Sequence, residues 1–310
     1  MERKFLNQEV FEKASNFVLS SSRALERKIY EYYFNGDDPV EPSLELKNYQ
    51  NSDGGFGHGL EPDIRLPYST PIATKTALQR FDLIDSSNQV AEEIITGAMG
   101  YLENVFQEGE NRWYSVSREV NSYPHAPWWH YDDETGKTPI DEFWGNPTAE
   151  ILAYGLKYGF SDGFDTEGMV EMALNNFDER EKFESEHEVY CYLKLYEVLP
   201  AKQAEKLEDQ LTKAVGRLVK TDPASWDDYV PKPLDFVKGP EAPRFGISDS
   251  DLEENLNFLV ERLVQNEVIE PAWEWGQFDS EWERAKIEWT GVLTLEALAT
   301  LNKFDRIDVN

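Results

Sequence analysis

The sequence predicts an all-α protein, an α/α toroid of about five to six helix pairs with long loops at one end. Three observations predict it. Apolar residues recur with helical spacing through most of the 310-residue chain. Helices of two compositions alternate. The loops that precede one of the two kinds are unusually long. No linker divides the chain, so residues 1–310 read as a single toroid domain.

The first helix is expected at Ala14–Phe34, where Val18, Leu25, Ile29 and Tyr32 share one apolar stripe. Ala91–Phe106, Thr166–Phe177, Ala204–Val219 and Asp251–Val264 have the same amphipathic, half-exposed character. Between them come Pro71–Phe81, Thr148–Tyr158, His187–Val198 and Thr290–Leu301. These are richer in Ala, Thr, Gly and Leu and poorer in charge, as suits helices packed on most sides. Pro71 and Pro147 fall in first turns, after Thr70 and Asn146 as candidate N-caps. Gly100–Trp113 echoes Asn257–Trp273: a helix end, a Gln, an acidic linker and a Trp. Such repeated pairs suggest a solenoid or a closed ring, and closure is favoured because the last strong helix is of the inner kind. Thr221–Ile247, with five prolines, reads as a long excursion hiding a degenerate repeat.

The loops Asn35–Thr70, Gln107–Asn146, Thr221–Ser248 and Gln265–Trp289 far exceed the usual median of about four to six residues. In a ring of helix pairs they emerge at one end, together with the N-termini of the inner helices. Binding and catalysis are expected at that mouth.

Composition limits the partners. Sixty acidic against thirty basic residues give a net charge of −30, which disfavours nucleic acid and anionic lipid. No apolar run approaches the roughly 18 residues of a membrane span. The single cysteine, Cys191, excludes an internal disulfide framework and fits a reducing cytoplasm; the N-terminus lacks the apolar stretch of a secretory signal. Glycine-rich phosphate loops, Gly-x-Ser-x-Gly turns and His-Glu-x-x-His pairs are missing from the sequence.

Gln50-Asn51-Ser52-Asp53-Gly54-Gly55-Phe56-Gly57 resembles the Gln-x-x-Asp-Gly-x-Trp/Phe repeat of the terpenoid cyclase and protein prenyltransferase superfamily. Asp53–Arg65 is also similar to a stretch of uncharacterised bacterial proteins of a prenyltransferase-like branch. The resemblance implies an α/α toroid, with this motif on a turn before an inner helix. Its catalytic residues do not carry over. Asp249-Ser250-Asp251-Leu252 is not the Asp-x-Asp-Asp acid of the cyclases. Cys191 lacks the Asp-x-Cys setting of the zinc site, and Asp132-Asp133-Glu134 is not a magnesium-diphosphate motif.

Candidate site residues follow from the loops. Gln50, Asp53, Gly54 and Gly55 read as a structural turn. His58, Glu61 and Asp63, with Arg65 as a substrate-binding cation, either supply an acid–base site or part of a metal site, or form a salt-bridge network around Arg65. In Tyr123–Asp133, Trp128, Trp129, His125 and His130 crowd a loop stiffened by Pro124 and Pro127; they stack on a ligand or plug the ring. No metal set is assigned, since no further His stands at ligand spacing from His125 and His130. Glu150, Glu188 and Glu288 stand at or near the starts of inner helices. They either satisfy the helix dipole or converge on a cavity, and of the three Glu150 and Glu288 are the catalytic candidates. Trp273 and Trp275 repeat the aromatic theme beside Trp282 and Trp289.

The expected partner is therefore a small molecule, isoprenoid or sugar, with the cofactor unknown. An apolar or isoprenoid ligand in an aromatic cavity is one reading. A carbohydrate-active toroid (glycoside hydrolase, lyase or epimerase) using Trp platforms and paired carboxylates is the second. A non-catalytic binding module is the third.

Overall fold

A computed structural model describes residues 2–308, and within them the fold is all-helical apart from one two-residue strand pair. Side-chain caps explain six of the twelve α-helix starts among the described residues. Helix α1 (Gln8–Ser21) begins where the Asn7 side chain accepts from the Val10 N–H, and α4 (Pro71–Arg80) where Thr70 accepts from Ala73. Asn88, Asp165, Ser185 and Ser248 cap α5 (Gln89–Asn104), α7 (Thr166–Asp178), α8 (Glu186–Val198) and α11 (Asp249–Asn266) in the same way.

The expected single helix at Ala14–Phe34 is two helices. Ser22 turns extended after α1, its hydroxyl bonds the Val18 carbonyl, and the chain restarts as α2 (Ala24–Tyr30). The break lets Gly291 approach Ser22 so closely that an added Cβ would lie 2.6 Å from the serine Cβ. Helical periodicity runs on through the break because one apolar stripe serves both helices. A further short helix, α3 (Val40–Lys47), occupies the stretch expected to be loop before Thr70.

Helix α6 (Gly145–Tyr158) is buried at every position from Gly145 to Gly155, as its low charge predicts. Asn146 does not cap it: it sits in an extended kink and accepts from the Cys191 thiol. In contrast α9 (Ala201–Leu218) buries one stripe, Ala204, Leu207, Leu211, Ala214 and Val215. The excursion holds a 3-10 turn at Pro223–Ser225 and one short α-helix, α10 (Pro233–Phe236). Helix α12 (Asp279–Lys303) begins eleven residues before the expected Thr290, so half of the last loop is helix. Its strong helix formers, Glu281, Glu283, Arg284, Ala285 and Lys286, outweigh the interrupted apolar pattern.

Alternate helices pack in turn, α4 on α6, α6 on α8 and α8 on α10, and α12 packs on α2. A second series includes α3 on α5, α7 on α9, and α11 on α1. The chain ends meet, with Leu6–Asn7 (β1) parallel to Ile307–Asp308 (β2) and α1 packed on α12. No helix among the described residues is long and apolar enough to cross a membrane.

The apolar interior has two parts. The larger lies between the helices; the smaller, containing Ile64, Val116, Val120, Trp129 and Trp275, lies beneath the loops. The Gln50–Gly57 turn braces this arrangement as predicted. Gln50 donates to the Gly54 and Ile94 carbonyls at 2.9 and 3.0 Å, and Asp53 accepts from Gly55 and Ser69. Gly54, at φ +88°, leaves no room for a Cβ against the Gly97 backbone.

Candidate functional site

Three loops distant in sequence are stitched together by backbone. The Ala126 N–H donates to the Asp63 carbonyl and the Arg65 N–H to that of Pro124, both at 2.9 Å, with Ile64 and His125 bridged between them. Gln277 closes the junction from the last loop by donating to the His125 carbonyl at 2.8 Å. The segment before Asp63 is anchored from α2, where Arg23 donates to the Gly59 and Leu60 carbonyls while paired to Glu26 at 2.6 Å.

This frame turns Glu61 and Asp63 inward, leaving them 9% and 3% exposed. Asp63 Oδ1 accepts from two indoles, Trp275 at 2.7 Å and Trp289 at 2.8 Å, and Trp273 presents its N–H towards the same carboxyl without forming a hydrogen bond. Burial, and then the neighbouring Glu61, push the Asp63 carboxyl up to about 7 against the pull of the indoles. Burial likewise raises Glu61, despite Lys75, Arg80 and Arg23 nearby; the Thr76 hydroxyl donates to its carboxylate at 3.4 Å.

Lys75, on α4, reaches Glu150 on α6 at 3.1 Å, and Gln79 donates to the same carboxylate at 2.7 Å. Burial alone would lower the Lys75 ammonium, but Glu150, Cys191 and Glu61 outweigh it and hold it charged. Cys191 lies 3.6 Å from Glu150, and burial drives its thiol well up, leaving it inert.

His187, in the first turn of α8, is hydrogen-bonded through Nε2 to the Tyr229 hydroxyl at 2.9 Å. Tyr229 is 52% exposed, yet burial of its hydroxyl end raises that group, and burial lowers the His187 imidazole. Its ring meets Trp273 edge-on at 5.3 Å, and Trp273 meets Trp289 at 5.2 Å. Contacts thus run from Asp63 through Trp289, Trp273 and Tyr229 to His187, and Lys75 acts electrostatically on both His187 and Glu61.

Of the residues singled out in the sequence, Glu61, Asp63, Glu150, Trp273 and Trp275 belong to this cluster. Glu288 and Arg65 form a buried ion pair of 2.7 Å beside it, shared with Arg284 at 3.0 Å and Glu281 at 3.4 Å. Glu188 ties helices together instead, accepting from Gly145 and pairing with Arg180. His58 is exposed, held at φ +58° by a 2.9 Å bond to Asn51, and faces an open groove of about 330 Å³. Trp129 is 7% exposed inside the loop-layer core, with Trp128 packed against it. His125 is buried in the loop junction with its imidazole lowered by burial, and His130 stacks on it from the surface.

Sequence reasoning did not select Lys75, His187, Tyr229 or Trp289 as site residues. Lys75 carried a signal, a cation mid-way along a helix otherwise nearly free of charge. Tyr229, within the proline-rich excursion, carried none. Among the described residues no group of three or more His, Cys, Asp or Glu is placed to hold a metal ion. Comparison with protein-family models, with curated proteins and with solved structures found no match.

Proposed function

We propose that the chain is an α/α toroid of six helix pairs whose central recess performs general acid–base chemistry on a carbohydrate-like, polyhydroxy small molecule. The pairs are α1/α2, α3/α4, α5/α6, α7/α8, α9/α10 and α11/α12. Support for closure comes from α12 packing on α1 and α2, and from contacts linking α4, α6, α8 and α10 in turn. The similarity of Gln50–Gly57 to the terpenoid cyclase and prenyltransferase turn agrees with that architecture, although it brings no catalytic group.

The observation that carries the chemical reading is Asp63: a buried carboxyl, pushed up to about 7, held by two indole donors on one oxygen. Such a group gives or takes a proton near neutrality. Glu61 beside it, itself raised by burial, makes a second negative charge unfavourable. Glu150–Lys75 and Tyr229–His187 supply further polar groups that suit hydroxyls.

An isoprenoid diphosphate fits less well. The cations around the recess are already matched: Lys75 to Glu150, Arg23 to Glu26, Arg65 to Glu288 and Arg80 to Glu296. A diphosphate has no free positive charge to meet. A single buried Cys191 supports a reducing, cytoplasmic setting.

The test is to incubate the full chain with mono- and disaccharides, and separately with farnesyl and geranylgeranyl diphosphate, following both by NMR. Turnover of a saccharide that disappears in Asp63→Asn is expected. Turnover of a prenyl diphosphate alone, or none in either set, removes this reading.

A further inference from the structure

Seven carboxylates are buried in the described residues: Glu26, Glu61, Asp63, Asp141, Glu150, Glu188 and Glu288. Four have a cation of their own, Arg23, Lys75, Arg180 and Arg65, at 2.6 to 3.1 Å. Asp141 is enclosed by the Ser115 and Thr138 N–H groups and the Thr138 hydroxyl. Glu61 and Asp63 are different. Their side-chain donors are neutral: two indoles for Asp63, and for Glu61 one hydroxyl at 3.4 Å. An unpaired buried carboxylate is costly, and two of them two positions apart more so.

The walls beside these acids are aromatic. Trp273 packs edge-to-face with both Tyr229 and Trp289, at 70° and 79°, so the three rings form one aromatic cluster. Trp289 also donates to Asp63, which fixes the carboxylate at the edge of that cluster. Ring faces attract cations, and a carboxylate at the rim adds the opposite charge. The net charge of −30 further concentrates cations around the molecule.

We propose that the recess binds an organic cation, with its ammonium seated among Tyr229, Trp273 and Trp289 and paired with the carboxylates of Asp63 and Glu61. The proposal rests on reading the recess as a ligand site, and it narrows the substrate to an amine-bearing molecule such as an amino sugar. A metal ion suits the donors poorly, since two carboxylates converge there with indoles, which are not metal ligands. Anionic ligands meet repulsion from Glu61 and Asp63, while the charge of Lys75 is engaged by Glu150.

The experiment is calorimetric titration of the full chain with glucosamine, glucose, tetramethylammonium and magnesium chloride, at several pH values. Glucosamine should bind about tenfold more tightly than glucose. Tetramethylammonium, whose charge does not depend on pH, should compete with it, and its affinity should rise as pH passes through 7 and Asp63 ionises. Asp63→Asn and, in case that variant loses its fold, Trp273→Leu should each abolish the preference for the amine while retaining helical circular dichroism. Equal affinity for glucose and glucosamine overturns the proposal, as does competition by magnesium, or a preference untouched by both substitutions. Saccharide turnover without amine preference would leave the acid–base reading intact and sink the cation. Amine binding with no turnover would do the reverse.

Discussion

The Trp289 indole N–H lies 2.8 Å from Asp63 Oδ1, across 226 positions of sequence. One residue comes from the third turn of the last helix and the other from a loop before α4. Their contact joins the last helix to the loop before α4 at a carboxyl displaced towards neutrality. Trp289→Phe keeps most of the ring but removes this donor, which favours the charged carboxylate. The Asp63 carboxyl should then titrate about one unit higher, since hydrogen bonds to charged groups contribute about 1.5–3 kcal/mol and Trp275 retains its own. The carboxyl ¹³C shift followed against pH reports this directly. An unmoved or lowered midpoint would show that the indole does not tune Asp63.

Asp63 also bears on stability. Its folded value of about 7 lies above the ordinary 3.8, so between those limits the folded state holds a proton that the unfolded state has lost. The sign follows: this group favours folding below about 4, and that contribution is lost as pH rises through 7. Asp63→Asn keeps an acceptor oxygen for the indoles and removes the ionisation. Thermal melts should show the variant a few degrees more stable than wild type at pH 8, less so at pH 5, and nearly equal only below about pH 4. A variant less stable than wild type at pH 8 contradicts this account.

The helices were legible in the sequence where caps and composition agreed, as at Thr70-Pro71, Asn88 and Ser248. They were not legible where one apolar stripe crossed a break at Ser22, or where helix formers at Glu281–Lys286 lacked a clear stripe. In the site, Glu61 and Asp63 stood out as ionisable groups in a glycine-flanked loop, and they are buried together. Trp128 and Trp129 stood out equally but pack into the loop layer, because adjacent tryptophans look the same in sequence whether they face a ligand or a core. Tyr229 and His187 come together only through the path of the excursion, which no local pattern encodes.

That placement of Trp129 has a consequence for mutation. Trp129→Ala should remove about 3–5 kcal/mol of packing from the small loop core. The exposed-edge substitution Trp128→Ala should cost less. Because that core is separate from the helical interior, the loss should appear as faster amide exchange in residues 116–131 while helical circular dichroism is kept. Global unfolding of Trp129→Ala would mean that the loop layer is inseparable from the helices.

Arg65 and Glu288 make a buried pair whose worth is testable by breaking one side. Arg65→Ala leaves Glu288 buried with only the exposed Arg284, and should cost about 3 kcal/mol. The double variant Arg65→Ala/Glu288→Ala should recover part of that loss in urea unfolding. If the double variant is as unstable as the sum of the singles, the two side chains are not coupled.

Lys75 and Glu150 are the corresponding pair inside the cluster, and here stability and site chemistry move together. Lys75→Met leaves Glu150 with Gln79 as its nearest donor and removes the foremost of the nearby charges that hold Glu61 down. A buried carboxylate stripped of its cation costs about 3–5 kcal/mol, so the single variant should be markedly weakened. Lys75→Met/Glu150→Gln presents no unpaired charge at that position and should regain most of the stability. Glu61 should behave otherwise: its carboxyl is expected to titrate higher in both variants, because Lys75 is absent from each. Urea unfolding gives the first comparison and carboxyl ¹³C titration the second. A Glu61 midpoint that returns with the double variant would show that Glu150, rather than Lys75, governs the acid on the loop.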